Sequence, residues 1–209
     1  YLVARHVRTA DMEGFAATNK FPFERSLWAA TAGHPPKLDS TETDATYDAI
    51  VIGGGIAGAV ALATLAKGGA KAVLLEAHKL ASGATGRSGG FIVPAFPVVS
   101  PGTVINRLGT IGERLVAAVA RSADVVFGLI RDFGIDCDAA QGGWIHPTTS
   151  NEKLAQLGAD ANIWRQFGAT AEILNGGETE RRSGVANYAG SFLAPSGGTI
   201  HPVKFIHGL

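Results

Sequence analysis

The sequence predicts an α/β fold built on a parallel sheet, and three observations carry that prediction. A short β-branched run, Asp48-Ala49-Ile50-Val51-Ile52, reads as a buried parallel strand, and an Ala/Leu-rich helical stretch from Ile56 to Lys67 follows it. Gly68-Gly69 ends the helix, and Ala72-Val73-Leu74-Leu75 forms a second apolar run. Strand, helix and strand in that order make a βαβ unit with a right-handed crossover. Glycine is the third observation: 28 of 209 residues, about 13% against a usual ~7%. In a chain that is 46% hydrophobic with mean hydropathy +0.17, that surplus belongs to turns and close backbone approaches, not to disorder.

Composition bounds the rest. A chain of 209 residues suggests one domain or a little more and buries about 70% of its unfolded surface. Eighteen Lys+Arg balance eighteen Asp+Glu, and no basic run exceeds Arg181-Arg182, which argues against a nucleic-acid surface. The single cysteine, Cys137, excludes an internal disulfide framework and a Cys-rich metal site, so no metal is expected. It suits a reducing, cytoplasmic setting, and its neighbours Asp136 and Asp138 predict a raised thiol pKa. No charged-then-apolar leader opens the chain, although Tyr1 in place of Met predicts a missing natural start. Ala49 to Ala66 carries no charge and has the hydropathy of a membrane span. Gly53, Gly54, Gly55 and Gly58 interrupt it, so no span is expected.

Along the chain, residues 1–46 read as a polar extension. Leu2 to Phe15 is a candidate helix, Phe21-Pro22-Phe23 and His34-Pro35-Pro36 break regular structure after it, and Thr41 to Thr46 marks a boundary. After the βαβ unit, Phe91 to Asn106 holds Pro94, Pro97 and Pro101 and reads as a packed loop. Ile111 to Phe133 predicts one helix with Ile111, Leu115, Val119, Val126, Ile130 and Phe133 on its buried face, capped by Gly134. Trp144-Ile145-His146 predicts a strand. Thr149 and Glu152 have the spacing of a capping box for a helix ending near Gly168. Glu172-Ile173-Leu174 and Tyr188 to Ala194 predict short strands, Pro195 to Thr199 a turn, and Pro202 the first turn of a last helix.

The chemistry concentrates in Gly53-Gly54-Gly55-Ile56-Ala57-Gly58, a G-x-G-x-x-G between strand and helix. Glu76 stands at the end of the second strand, eighteen residues after Gly58. This is the context of a dinucleotide site. Gly53 allows the tight turn, Gly55 lets backbone meet a pyrophosphate, and Gly58 lets helix approach strand. The N–H groups of Ile56, Ala57 and Gly58 open the helix toward phosphate. Glu76 offers a carboxylate to the adenosine ribose hydroxyls, with Ala77 beside it. This fingerprint alone leaves FAD and NAD open. A second cluster, Ala81-Ser82-Gly83-Ala84-Thr85-Gly86-Arg87-Ser88-Gly89-Gly90, begins five residues after Glu76, where an NAD enzyme would continue with helix and strand. Its backbone N–H groups, hydroxyls and guanidinium suit a pyrophosphate and the edge of a flat ring, which favours FAD.

Residues 47–55, Leu74-Leu75-Glu76-Ala77 and Ala84 to Gly90 together resemble the N-terminal half of FAD-dependent oxidoreductases of the D-amino-acid oxidase and glycine oxidase family. Ser26 to Ala32 and Ser196 to Lys204 are similar to the gamma-glutamylputrescine oxidase-like subgroup, which usually has Asn where Ser88 stands. The resemblance implies FAD as cofactor, held by Gly53, Gly55, Ile56, Ala57, Gly58, Glu76, Ala77, Ser82, Ala84, Thr85, Gly86, Arg87, Ser88, Gly89 and Gly90. It implies a Rossmann-like FAD-binding domain at 47–105, holding the βαβ unit and the second glycine-rich loop, and at 106–209 a helical segment and the start of a smaller α+β substrate domain, ending at the return to the FAD-binding domain. Family members are roughly twice this length, so the chain is expected to be incomplete, with a C-terminal polypeptide completing the fold.

The implied reaction is oxidation of the C–N bond of a small-molecule amine or amino acid. The family's substrate-binding Arg and Tyr lie mostly in the absent half, so no catalytic residue is assigned. No Ser-His-Asp, metal-ligand or paired-carboxylate pattern competes. Trp144 reads as a core aromatic, His146 as an edge residue, His201 as a helix cap and His78 as a solvated residue; Arg87 reads as a cofactor contact. Two alternatives stay open: an NAD(P)-dependent dehydrogenase, and a non-catalytic flavin-binding subunit of a larger complex.

Overall fold

The computed structural model describes residues 4–6, 22–37 and 45–209. The chain divides into two compact units, each discontinuous in sequence. One comprises Tyr1–Gly90, Phe133–Asp138 and Ile200–Leu209; the other comprises Phe91–Asp132 and Ala139–Thr199.

The first unit holds a parallel sheet of order β1-β3-β2. Strand β1 (Ala4–His6) lies where the sequence predicts a helix from Leu2; the rest of that prediction falls outside the described residues. Pairing supplies the physical reason: Ala4 lies opposite Leu74, so β1 meets backbone groups on the otherwise open edge of β3 (Ala72–Glu76). A short helix, α1 (Leu27–Thr31), follows a 3-10 turn, and its cap Ser26 accepts the Ala29 N–H at 3.1 Å.

The predicted βαβ unit is present. β2 (Ala49–Ile52) pairs in parallel with β3, and the crossover helix α2 (Ile56–Lys67) packs on both strands, burying Ala59, Leu62 and Ala63. One expectation changes. β3 is central and buries Ala72, Val73 and Leu74, whereas β2 is an edge strand that alternates, leaving Ile50 62% and Ile52 87% exposed. A continuous apolar run therefore does not guarantee two covered faces.

The second unit is helical at its start. Phe91 to Asn106 is not a loop throughout: β4 (Phe91–Ile92) opens it and α3 (Pro101–Leu108) closes it. Ser100 caps α3 by accepting the Thr103 N–H at 3.1 Å, and Pro101 occupies the first turn, where its missing N–H costs nothing. The predicted helix from Ile111 to Phe133 is two helices, α4 (Thr110–Ala120) and α5 (Ser122–Phe133). The Ser122 hydroxyl donates to the Val119 carbonyl at 2.8 Å, competing with the helical ladder at the junction. The buried face also shifts. Val116, Ala120, Ala123, Phe127 and Ile130 are buried, while Ile111 and Leu115 stay exposed.

Beyond it, β5 (Trp144–Thr148), β6 (Glu172–Asn175) and β7 (Gly190–Ala194) form an antiparallel sheet of order β5-β7-β6. Helix α6 (Asn151–Gln166) packs on it, with Ala161 and Trp164 in a core that also holds Val116, Phe192 and Ala194. Its cap is Ser150, whose Oγ accepts the Lys153 N–H at 3.2 Å, so the predicted Thr149–Glu152 box does not form. Helix α7 (Gly176–Ser183) is not predicted by the sequence. Asn175 and Glu178 make its reciprocal capping box at 2.9 and 3.0 Å. β8 (Gly198–Thr199) pairs antiparallel with β4 at the end of the predicted turn. The last helix, α8 (Pro202–Gly208), returns to the first unit and buries Val203, Phe205 and Ile206. Among the described residues, no helix is long and apolar enough to cross a membrane.

Candidate functional site: two glycine loops joined at a helix N-terminus

The first loop is pinned on both sides. Gly53, at φ +100°, donates its N–H to the Leu75 carbonyl at 2.8 Å, which ties the turn to β3. Gly58 faces the Gly53 carbonyl oxygen so closely that a Cβ would overlap it; this contact sets how near α2 lies to the turn. Gly55 caps α2, and its carbonyl accepts the Ala59 N–H at 2.9 Å. The N–H groups of Ile56, Ala57 and Gly58 therefore form the open first turn, with no helical carbonyl to receive them. Ile56 gives its N–H to the Thr85 hydroxyl at 3.0 Å.

Glu76 is held rigidly. One carboxylate oxygen accepts the Gly54 N–H at 2.6 Å, and the other accepts the His78 N–H at 2.8 Å. The carboxylate thus bridges the glycine turn and the end of β3, and each oxygen keeps a lone pair for a ligand hydroxyl. Ala77 follows, exposed.

The second loop folds back onto the first. Ala81 donates its N–H to the Gly54 carbonyl at 2.9 Å, and Thr85 reaches Ile56. Ala81 sits at φ +60°, a conformation uncommon for alanine. The chain then turns tightly: Gly86 donates to the Ala81 carbonyl at 2.8 Å, Arg87 to the Ala84 carbonyl at 3.1 Å, and the Ser88 hydroxyl to the Thr85 carbonyl at 3.1 Å. Gly86 and Gly90 are buried; Ser82 is half-buried, and Ala84, Arg87, Ser88 and Gly89 are exposed. The structure thus brings Gly53, Gly55, Ile56, Ala57, Gly58, Glu76 and Thr85 to one place. Ser82, Ala84, Gly86, Arg87, Ser88, Gly89 and Gly90 lie along the adjoining loop.

These features fit a flavin dinucleotide. A helix N-terminus with unreceived N–H groups, a close backbone approach without Cβ atoms, a fixed carboxylate and a second glycine loop against the same helix start suit the parts of such a ligand. Several residues in contact with the loops are not legible in the sequence: Phe23, whose ring lies on Gly86; Leu80, whose side chain lies on Gly54; and Trp28, which touches Gly90. Trp28 lies in the Ser26–Ala32 stretch that carries the subgroup resemblance, but no local signal shows which glycine each of the three touches.

Other candidates resolve separately. His201 does cap α8: its Nδ1 accepts the Lys204 N–H at 3.2 Å. Burial and the neighbouring Lys204 hold its pKa below the usual histidine value. His78 is exposed and borders a cavity of about 360 Å³ in the first unit, with Phe23, Leu80, Val203 and His207. Trp144 packs edge-on to Phe192 at 6.3 Å, and His146 lies exposed beside it at 5.5 Å. Both border a cavity of about 320 Å³ in the second unit, near Asp160, whose carboxyl is pushed up by burial. The Cys137 thiol is pushed up chiefly by burial, with Asp138 and Asp136 adding to it.

Known proteins share this architecture. The chain is 28% identical over 188 residues to the gamma-glutamylputrescine oxidoreductase of Escherichia coli (strain K12), covering 88% of this chain and 43% of that protein. Glycine oxidase from Geobacillus kaustophilus has a similar structure, with TM-score 0.61, 24% identity and coverage of 78% and 42% of the two chains. L-Amino acid deaminase from Proteus myxofaciens is similar with TM-score 0.67 and 18% identity, over 84% and 38%. The chain spans less than half the length of each of these relatives. The sequence model of the DAO family, described as FAD dependent oxidoreductase, matches residues 48–209. The chain belongs to the DAO family of FAD-dependent oxidoreductases.

Proposed function

We propose that this chain grips FAD within an oxidoreductase that oxidises the C–N bond of a small amine or amino acid. The observation that carries the proposal is the junction at the start of α2. There the Thr85 hydroxyl of the second loop meets the Ile56 N–H of the first at 3.0 Å. That junction seats the second loop against the start of α2, where the Ala57 and Gly58 N–H groups have no helical acceptor, so one dinucleotide can meet both loops.

Each residue has a role in this reading. Gly53, Gly55 and Gly58 would keep side chains out of the pyrophosphate path, and the Ala57 and Gly58 N–H groups would receive its charge beside Ile56, whose N–H is held by Thr85. Glu76 accepts the ribose hydroxyls, with Ala77 beside them. Ser82, Ala84, Thr85, Gly86 and Arg87 line the pyrophosphate, and Ser88, Gly89 and Gly90 present backbone to the ring. When bound, FAD would supply the redox chemistry, as acceptor of the hydride from the carbon beside nitrogen in an oxidation to a hydrolysable imine, with hydrogen peroxide the product where oxygen is the final acceptor. Gamma-glutamylputrescine oxidoreductase, glycine oxidase and L-amino acid deaminase are named for amine or amino-acid substrates, which supports the class.

The test is a panel of amines and amino acids added without oxygen to the flavin-loaded full-length protein, followed by visible absorbance. Bleaching by one member, with ammonia or an amine released, is expected. Bound flavin that no member of a broad panel reduces would support a non-catalytic flavin subunit instead.

A further inference from the structure

The indole of Trp28 makes two contacts with the second glycine loop. Its Nε1–H donates to the Ser88 carbonyl at 2.8 Å, sixty positions along the chain. Its six-membered ring covers Gly90, where a Cβ would come within 3.2 and 3.3 Å of Cζ2 and Cη2. The Ser88 C=O and the Gly89 N–H belong to one planar trans peptide and point in opposite directions. Holding the carbonyl on the indole therefore turns the Gly89 N–H away from Trp28. That N–H has no acceptor among the described residues. With glycine at 89 and at 90, where φ is +73°, little else in the local chain resists rotation of this peptide plane.

Trp28 is itself held in place. Its ring meets the buried His201 ring edge-on, with centroids 4.8 Å apart. Because His201 Nδ1 accepts the Lys204 N–H, its proton lies on Nε2, which donates to the Thr31 hydroxyl at 3.0 Å. Thr31 in turn donates to the Leu27 carbonyl at 2.7 Å. Helix α1 is thereby fastened to the start of α8 while its indole grips the loop.

We propose that Trp28 is a positioning residue for the flavin: through the Ser88–Gly89 peptide it aims the Gly89 N–H at the edge of the ring. This rests on the reading of 81–90 as the flavin loop. The test uses the full-length protein and three variants. Trp28→Phe keeps an aromatic ring over Gly90 but lacks the N–H donor; Trp28→Ala lacks both. Ile135→Val trims a buried residue beside Gly208 and serves as a destabilised control. Dissociation constants for FAD are measured by titrating apoprotein, together with the visible absorption and circular dichroism of bound flavin and the thermal midpoint.

Trp28→Phe is expected to weaken FAD binding about tenfold, the effect of one lost hydrogen bond, and to shift the visible flavin bands. Trp28→Ala should weaken binding further, and Ile135→Val should lower only the midpoint. Trp28→Phe with wild-type affinity and an unchanged flavin spectrum overturns the proposal, as does an equal loss of affinity in Ile135→Val. A wild-type protein that takes up no flavin overturns the flavin reading as well, so the two failures are distinguishable.

Discussion

Gly58 leaves no room for a methyl group, because the Gly53 carbonyl oxygen occupies the place where a Cβ would stand. Gly58→Ala must push α2 off the turn, at a cost of about 3 kcal/mol. Urea unfolding should show that loss, with FAD affinity falling alongside it. Glu76→Ala acts differently. It removes the acceptor for the Gly54 and His78 N–H groups and, in the proposed site, for the ribose hydroxyls. FAD titration should show binding weaker by about ten- to a hundredfold, with Glu76→Gln intermediate because one carbonyl oxygen remains. His201 gives a pH dependence. Its folded pKa lies below 6.5, so the unfolded chain binds the proton more readily. Stability should be unaffected above about pH 6.5 and decline as pH falls from there through the folded value. His207, also lowered by burial, has the same sign. His201→Gln should flatten, without abolishing, the fall in thermal midpoint between about pH 7 and about pH 5. At this scale the turn glycines were legible in the sequence, because close backbone approach demands glycine, and Glu76 was legible as the carboxylate at the end of the second strand. Trp28 was not, because its partner lies sixty residues away and an indole in a short helix carries no mark of its hydrogen-bond acceptor.

Elements were legible where one local signal settled them. The βαβ unit from Ala49 to Glu76 is set by apolar runs and glycine stops, and Pro202 marks the start of the last helix. Elsewhere two local signals competed. Pro101 reads as a breaker but sits behind the Ser100 cap, where proline starts a helix. Ser122 lies within a periodic apolar pattern, yet its hydroxyl takes the Val119 carbonyl and two helices result. Between Thr149 and Ser150, spacing to Glu152 favoured the wrong residue; the structure gives the cap to Ser150. This last point is directly measurable. Ser150→Ala should cost about 1 kcal/mol in denaturant unfolding, and Thr149→Ala should be close to neutral. The reverse order would place the start of α6 at the residue that sequence spacing suggested.

For the whole molecule, the two compact units are not consecutive stretches of chain. The first unit runs to Gly90 and takes back 133–138 and 200–209. Such returns are set by long-range contacts, among them the Cys137 carbonyl accepting the His201 N–H at 2.7 Å. Sequence periodicity does not encode them. The proposed function depends on the two glycine loops serving one ligand. The most direct measurement is the stoichiometry and identity of cofactor released when the purified full-length protein is denatured, read by visible absorbance and chromatography. One FAD per chain is the predicted result, with none retained by a Gly58→Ala, Glu76→Ala double variant. A protein that carries no flavin and takes up none when reconstituted, or that binds a nicotinamide dinucleotide at these loops instead, would contradict the account.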